Sequence, residues 1–193
     1  RKEMTPLEFT PWRKEAIWGS ESWQLSGVEG HESVVSSGPF AGRDIVSLLR
    51  EFKGTLVGKH VYEKEGDVFP LLIKFIDAKD DLSVQVHPDD ALARRRLGPL
   101  ARGKTEMWYV VRTAPGASLL SGLSSPITPQ EYVQRVEDNT ITDVLAKYDV
   151  HPGDVFYLPA GRIHAIGAGT FLAEIQQTSD ITYRIYDYGR TGR

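Results

Sequence analysis

Four side chains in this sequence have the types and spacing of a metal site: Gln85, His87, Glu106 and His164. Gln85 and His87 lie two apart in Leu82-Ser83-Val84-Gln85-Val86-His87, a stretch of strict alternation. On a strand they project from one face with Ser83, while Leu82, Val84 and Val86 project from the other. Glu106 falls in the next predicted strand, Gly103 to Val111, and shares a face with Lys104 and Trp108. His164 closes the run from Gly153 to His164. There Pro152-Gly153 opens a turn and Asp154 to Leu158 is β-rich. Pro159-Ala160-Gly161 then breaks the strand, because proline cannot donate to a ladder and glycine admits positive φ. Two imidazoles and a carboxylate suit a borderline divalent metal that keeps a position open for water or substrate, with Gln85 as a fourth, weaker oxygen ligand. In an antiparallel barrel, residues two apart enter one interior, so the set can converge.

The elements that must position these residues are mostly strands. The stretch to Gly42 is rich in turn residues and tryptophan; Trp12, Trp18 and Trp23 are expected mainly as packing anchors, with Trp18-Gly19 and Glu21-Ser22-Trp23 as the alternative lining of a site. Ile45, Leu48, Leu49 and Phe52 recur at helical spacing, which predicts a helix from Arg43 to Phe52 stopped at Gly54. Leu71 to Ala78 reads as a buried strand with Lys74 inside it, either a snorkelling edge residue or a site residue. Pro88-Asp89-Asp90 ends the His87 strand and can cap a short helix, Ala91 to Leu97, whose Arg94-Arg95-Arg96 run reads as a solvated face. Thr128-Pro129-Gln130-Glu131 has an N-cap threonine, a first-turn proline and a capping-box glutamate. The helical insertion it starts is predicted to run over about 128–147. Phe171 to Gln176 alternates again, with Leu172, Glu174 and Gln176 on one face. In the last predicted strand, Ile181 to Tyr188, Thr182, Arg184, Tyr186 and Tyr188 share a face.

Composition narrows the function. The chain has 193 residues, 40% of them hydrophobic and 25% charged, which suits one globular β-rich domain with a helical insertion. A net charge of -3 leaves no basic excess to neutralise nucleic-acid phosphates. With no cysteine, a transition metal must be held by imidazole, carboxylate or amide. No run is apolar for long enough to span a membrane, and the start, Arg1-Lys2-Glu3-Met4, lacks the apolar stretch of a signal peptide, so the cytoplasm is the expected compartment.

The pattern Gly-x5-Pro-x-Gly-x2-His from Gly153 to His164 resembles the second metal-binding motif of the cupin superfamily. The ordered set is more specific. Gln85-Val86-His87-Pro88, Lys104-Thr105-Glu106, the Pro152 to His164 segment and Ser179-Asp180-Ile181-Thr182-Tyr183-Arg184 resemble, in order, the motifs of type I phosphomannose isomerases of the short bacterial kind. The resemblance implies a mainly β fold, a cupin-type antiparallel β-barrel or jelly roll. It implies one divalent metal, zinc first, on His87, Glu106 and His164, with Gln85 less firmly a ligand. It implies interconversion of mannose 6-phosphate and fructose 6-phosphate. Arg184 matches the family's essential arginine, and Ser83 and Arg190 match positions thought to serve the phosphate. The chain departs from the pattern at Ala168, where cupins often have asparagine. Family members usually continue into a second β-domain, so this chain is expected to be truncated or a compact variant.

Aldose–ketose isomerisation needs a base for a carbon-bound proton and positive charge for the enediolate oxygen. Glu174 is the candidate base, with Asp180 or a metal-bound water in competition. Lys104 and Arg184 are the candidate cations, for the oxyanion or for the phosphate. Two other readings fit the same residues: a cupin dioxygenase with iron on the His-Glu-His set, and a non-catalytic sugar-binding module. The oligomeric state is left open by the sequence.

Overall fold

Hydrophobic alternation in most of the segments above is realised as antiparallel strand. The computed structural model describes residues 3–179 and 182–190. In chain order these form β1 (Phe9–Thr10), β2 (Trp12–Ala16), β3 (Gly19–Leu25) and β4 (Val34–Val35), then three short helices, α1 (Ile45–Phe52), α2 (Gly54–Val57) and α3 (Lys59–Glu65). There follow β5 (Leu71–Ala78), β6 (Val84–Val86), α4 (Asp90–Leu97), β7 (Glu106–Thr113), β8 (Ser118–Leu123) and α5 (Pro129–Glu137). The last part is a 3-10 turn (Ile141–Val144), β9 (Leu145–Asp149), β10 (Val155–Leu158), β11 (His164–Ile166), β12 (Thr170–Gln177) and β13 (Tyr183–Tyr186).

Two sheets carry the fold. One has six strands in the order β10-β7-β12-β5-β3-β2, the other five in the order β13-β6-β11-β8-β9, and all pairings are antiparallel. Among the described residues the ladders do not close into one ring, so the expected barrel takes its two-sheet, jelly-roll form. Ile76, Trp108, Val110 and Leu172 from the first sheet pack against Leu119 and Ile166 from the second. This is what alternation predicts when one face of each strand is removed from water. A second cluster joins Val84 and Ala165 to Ile141, Val144 and Leu145.

Helix boundaries follow local chemistry. Asp44 caps α1 by accepting from Ser47 N at 2.8 Å, and Ile45, Leu48 and Leu49 are its buried stripe. It ends at Lys53, one residue before the predicted stop, and Gly54 instead begins α2. Thr128 caps α5 as expected, with Glu131 N at 3.1 Å. The helical run predicted to about residue 147 ends at Glu137, and the chain returns to strand at Leu145. The reason is packing: Ile141, Val144 and Leu145 bury their side chains under the second sheet, and β9 adds to its edge beside β8. The larger helical block is α1 to α3, only part of which has helical apolar spacing in the sequence.

Gly19 starts β3 where the strand lies hard against β5. Its φ is +150°, and a Cβ there would sit 1.9 Å from the Asp77 carbonyl oxygen. Gly19→Ala is therefore expected to force β3 off β5 and to lower stability by about 2–3 kcal/mol, the scale of overpacking. Urea unfolding checks this, and an unchanged midpoint would contradict it.

Candidate metal centre and substrate cavity

Register across the first sheet builds one wall of a cavity. Trp12 pairs with Trp23, Trp23 with Lys74, Lys74 with Glu174, and Glu174 with Trp108. These five residues form one transverse row, and Gln176 opposite Glu106 belongs to the next. The facing wall is shorter. In the second sheet Arg184 pairs with Gln85, and Gln85 with His164. Between the walls lies a cavity of about 350 Å³ lined by residues of both sheets, among them Ser83, Gln85, Lys104, Glu106, His164, Glu174 and Arg184.

His87, Glu106 and His164 come together as predicted, each buried, with ligand atoms all within 4.8 Å of one another. His87 Nε2 lies 2.8 Å from Glu106 Oε1, and His164 Nε2 lies 3.9 Å from Glu106 Oε2. The other ring nitrogen of His164, Nδ1, sits 2.9 Å from the Arg162 carbonyl oxygen, which turns Nε2 toward the carboxylate. The turn before it works as the sequence implied. Gly161 has φ +86°, and its N–H donates to the His87 carbonyl at 2.8 Å, so the two histidine segments are tied to each other. Two imidazoles and a carboxylate with this spacing fit a divalent transition ion. Gln85 lines the cavity beside them. Its Nε2 donates to Ser83 Oγ at 2.8 Å, which leaves the amide oxygen as the atom it could offer.

Around the trio is a buried charge network. Trp108 Nε1 donates to Glu106 Oε2 at 3.2 Å and to Glu174 Oε1 at 3.0 Å. Lys74 Nζ is 3.2 Å from Glu174 and 3.1 Å from Glu21, and Lys104 Nζ is 3.5 Å from Glu106. Burial works against charge on Glu106, yet Glu174, Lys104, His164 and Lys74 together hold its pKa below the ordinary carboxylate value. Burial, and then Glu106 beside it, push Glu174 up. Burial lowers His164. For Lys74 burial alone would also lower the pKa, but Glu174, Glu21 and Glu106 outweigh it and keep the ammonium charged. Two neighbouring carboxylates thus have pKa values moved in opposite directions, the pattern of a site that assigns them different tasks.

Several positions differ from expectation. Trp18, Glu21 and Trp23 line the cavity, the less favoured of their two readings, and of the two readings of Lys74 the structure has it inside the sheet and lining the cavity. The signals were a lysine inside an apolar strand and Glu21-Ser22-Trp23 read as alternation. Asp89 caps α4, accepting from Leu92 N at 2.7 Å, whereas Asp90 reaches across to Gly103 N at 2.8 Å and Gln177 Nε2 at 3.3 Å. That clamp holds the segment bearing Lys104 that leads into β7 at Glu106, and the Gly103 bond lowers the Asp90 pKa. Thr182 and Arg184 line the cavity, but Tyr186 does not share their face. A register shift between Arg184 and Tyr186 rotates the chain, and Tyr186 packs on the Val84 cluster. Past it, Tyr188 and Gly189 take φ +56° and +68°, and Arg190 turns away from the cavity to Asp187 at 2.7 Å and Asp80 at 3.5 Å. Ser83 remains at the site, with Arg184 Nε 3.3 Å from its hydroxyl. Asp180 lies outside the described residues.

A family model for the type I phosphomannose isomerase catalytic domain matches residues 16–109. Mannose-6-phosphate isomerase ManA of Bacillus subtilis is 38% identical over 203 residues, which cover 96% of this chain and 62% of that protein. The chain is similar to the type I phosphomannose isomerases over nearly its whole length. Mannose-6-phosphate isomerase of Streptococcus mutans is 41% identical over 170 residues, 88% of this chain and 51% of that one. The crystal structure of the Bacillus subtilis mannose 6-phosphate isomerase superposes with a TM-score of 0.88 at 32% identity, over 98% of this chain and 63% of that one. The cupin-type fold read from the sequence is therefore the fold present, and the chain spans about three-fifths of the length of these Bacillus relatives. Among the described residues no helix is long and apolar enough to cross a membrane.

The electrostatics set a pH behaviour. His164 has a lowered pKa, so in metal-free protein its ring should stay neutral, and able to bind an ion, as pH falls through the ordinary histidine value of 6.5. Proton NMR of the ring should show its titration below that value. A midpoint at or above 6.5 would contradict the burial argument.

Proposed function

We propose that the chain is a metal-dependent aldose–ketose isomerase that interconverts mannose 6-phosphate and fructose 6-phosphate. The observation that carries the reading is the convergence of His87, Glu106 and His164 with Arg184, Lys104 and Glu174 in one cavity of a chain similar to these isomerases. His87, Glu106 and His164 would hold the ion, zinc first, with Gln85 as a weaker fourth ligand. A divalent ion there supplies Lewis acidity toward the sugar's carbonyl and hydroxyl oxygens.

The protein groups do the rest. Glu174 takes the proton from carbon 2 of the aldose. The electron pair of that C–H bond becomes the carbon 1–carbon 2 double bond, and the carbonyl oxygen gains negative charge. Return of that proton to carbon 1, with transfer of the hydroxyl proton on carbon 2 to the oxygen on carbon 1, completes the ketose. The raised pKa of Glu174 suits a group that must accept and return a proton near neutral pH. Lys74 and the Trp108 indole hold its carboxylate in place. Arg184 pairs in register with Gln85, which pairs with His164, so its charge lies at the metal end of the cavity and serves the developing oxyanion. Lys104, held at Glu106, contributes charge at the same end. Ser83 accepts from both Gln85 and Arg184 and sets their orientation, beside the phosphate role its position implies. A dioxygenase pocket would be more apolar than one lined by Lys14, Lys74, Lys104 and Arg184, and a simple binding module has no need of the buried trio.

A coupled isomerase assay with metal analysis tests the reading. His87→Ala should lose the bound metal and the activity together, and unaltered metal content would count against the trio. Arg184→Ala, with metal retained, is expected to lower kcat by roughly 10²–10³-fold, the scale of one lost oxyanion donor. A change confined to KM would mean that the arginine binds ground and transition states equally. Near-wild-type kinetics would remove it from the site.

A further inference from the structure

The metal trio occupies only one end of the cavity. At the other end, on the edge strand β2, Trp12, Lys14 and Ala16 project into the same space with Trp18, Trp23 and His31. The Trp12 indole lies on the His31 ring, with centroids 4.0 Å apart and planes 26° from parallel, and meets Trp23 edge-on at 4.9 Å. It is held from behind and remains 37% exposed. The result is a rigid, flat, partly open aromatic shelf, a surface suited to the C–H face of a sugar ring. Beside it stands Lys14. Its cross-strand partner is Glu21, but that carboxylate is already engaged by Lys74 at 3.1 Å and Trp23 Nε1 at 3.2 Å. The cations of the cavity are therefore unequal. Lys74 and Lys104 are matched by buried glutamates, whereas among the described residues Lys14 has no carboxylate within ion-pair distance. From Trp12 to Glu174 is three strand spacings, about 14 Å along the sheet, which is more than an open hexose phosphate spans.

We propose that Trp12, His31 and Lys14 form an outer subsite, distinct from the reaction centre, that captures the sugar phosphate on entry: the ring rests on Trp12 and the phosphate meets Lys14. This rests on the isomerase reading for the identity of the ligand. Capture at the mouth of a cavity raises the rate of productive encounter and leaves the chemical step alone, and its charge component is screened by salt.

The test is steady-state kinetics with mannose 6-phosphate at low and high salt. Lys14→Met should lower kcat/KM about tenfold at low salt with kcat unchanged, and the deficit should shrink as salt rises. Lys14→Arg should recover most of it. Binding followed by tryptophan fluorescence separates the two parts of the subsite. Lys14→Met should weaken mannose 6-phosphate and leave unphosphorylated mannose unaffected, whereas Trp12→Ala should weaken both. Unchanged kcat/KM and unchanged binding in Lys14→Met would overturn the proposal, as would a fall in kcat equal to the fall in kcat/KM. If the wild-type protein binds mannose 6-phosphate but does not isomerise it, the isomerase reading fails alone. The subsite is then decided by fluorescence titration: a roughly tenfold loss of affinity in Lys14→Met supports it, and equal affinity refutes it.

Discussion

Burying Glu106 beside Glu174 is the constraint on which the cavity depends. Two carboxylates on neighbouring strands, both almost fully removed from water, cannot both stay charged unless the surroundings compensate them. The compensation is asymmetric. Glu106 has Lys104 and two imidazoles around it, and Glu174 has Lys74, itself shared with Glu21. The Trp108 N–H bridges the pair. Glu106 is thereby kept anionic and suited to a cation, while Glu174 is eased toward its protonated form. One strand step separates two carboxylates whose pKa values are moved in opposite directions, and the environment, not the side-chain type, makes the distinction.

Strand register is what brings the compensating groups to those carboxylates. Because side chains alternate with period two, every second residue of β2, β3, β5, β12 and β7 faces the interior, antiparallel pairing aligns them into transverse rows, and Lys14, Glu21, Trp23, Lys74, Glu174 and Glu106 are among those that line the cavity. A slip of one residue in any of these pairs would point Lys74 or Glu174 outward and bury a like charge without its partner. The stiffness of the site and the uniqueness of the register are the same property. Gly19 and Gly103 allow the backbone approach that this alignment needs. A side chain at Gly103 would strike the backbone of Pro88, Asp89 and Asp90, and the clamp from Asp90 would be lost.

What could be read from the sequence followed the same physics. The metal trio was legible because its residues lie on alternating strands or behind a glycine turn, where local spacing dictates direction. Glu174 and Arg184 were legible as inward positions for the same reason. Partners set by long-range register were not: nothing local to Lys74 says that Glu21 and Glu174 will flank it, and nothing local to Asp90 says that it reaches Gly103. The tyrosines after Arg184 were misplaced because a bulge breaks the period of two, and no residue in Arg184-Ile185-Tyr186 announces a bulge. Arg190 was assigned by motif order alone, and two consecutive positive-φ residues turn it toward Asp187 and Asp80. The end of α5 was overestimated because Ile141, Val144 and Leu145 are apolar at spacings a helix also uses, and packing under the second sheet decided between the two.

The ligands also straddle the two sheets. Glu106 belongs to the six-stranded sheet, while His164 belongs to the five-stranded sheet and His87 directly follows its strand β6. An ion held by all three therefore links the layers through their common interior. Binding to the folded chain alone stabilises it by mass action, so occupancy and folding draw on one free energy. Without an ion, the layers are joined by apolar contacts such as Trp108 against Leu119 and by the polar contacts around Glu106. Glu106 is the carboxylate whose surroundings already favour its charge, so an ion placed there would join the two sheets at the cavity that both of them line.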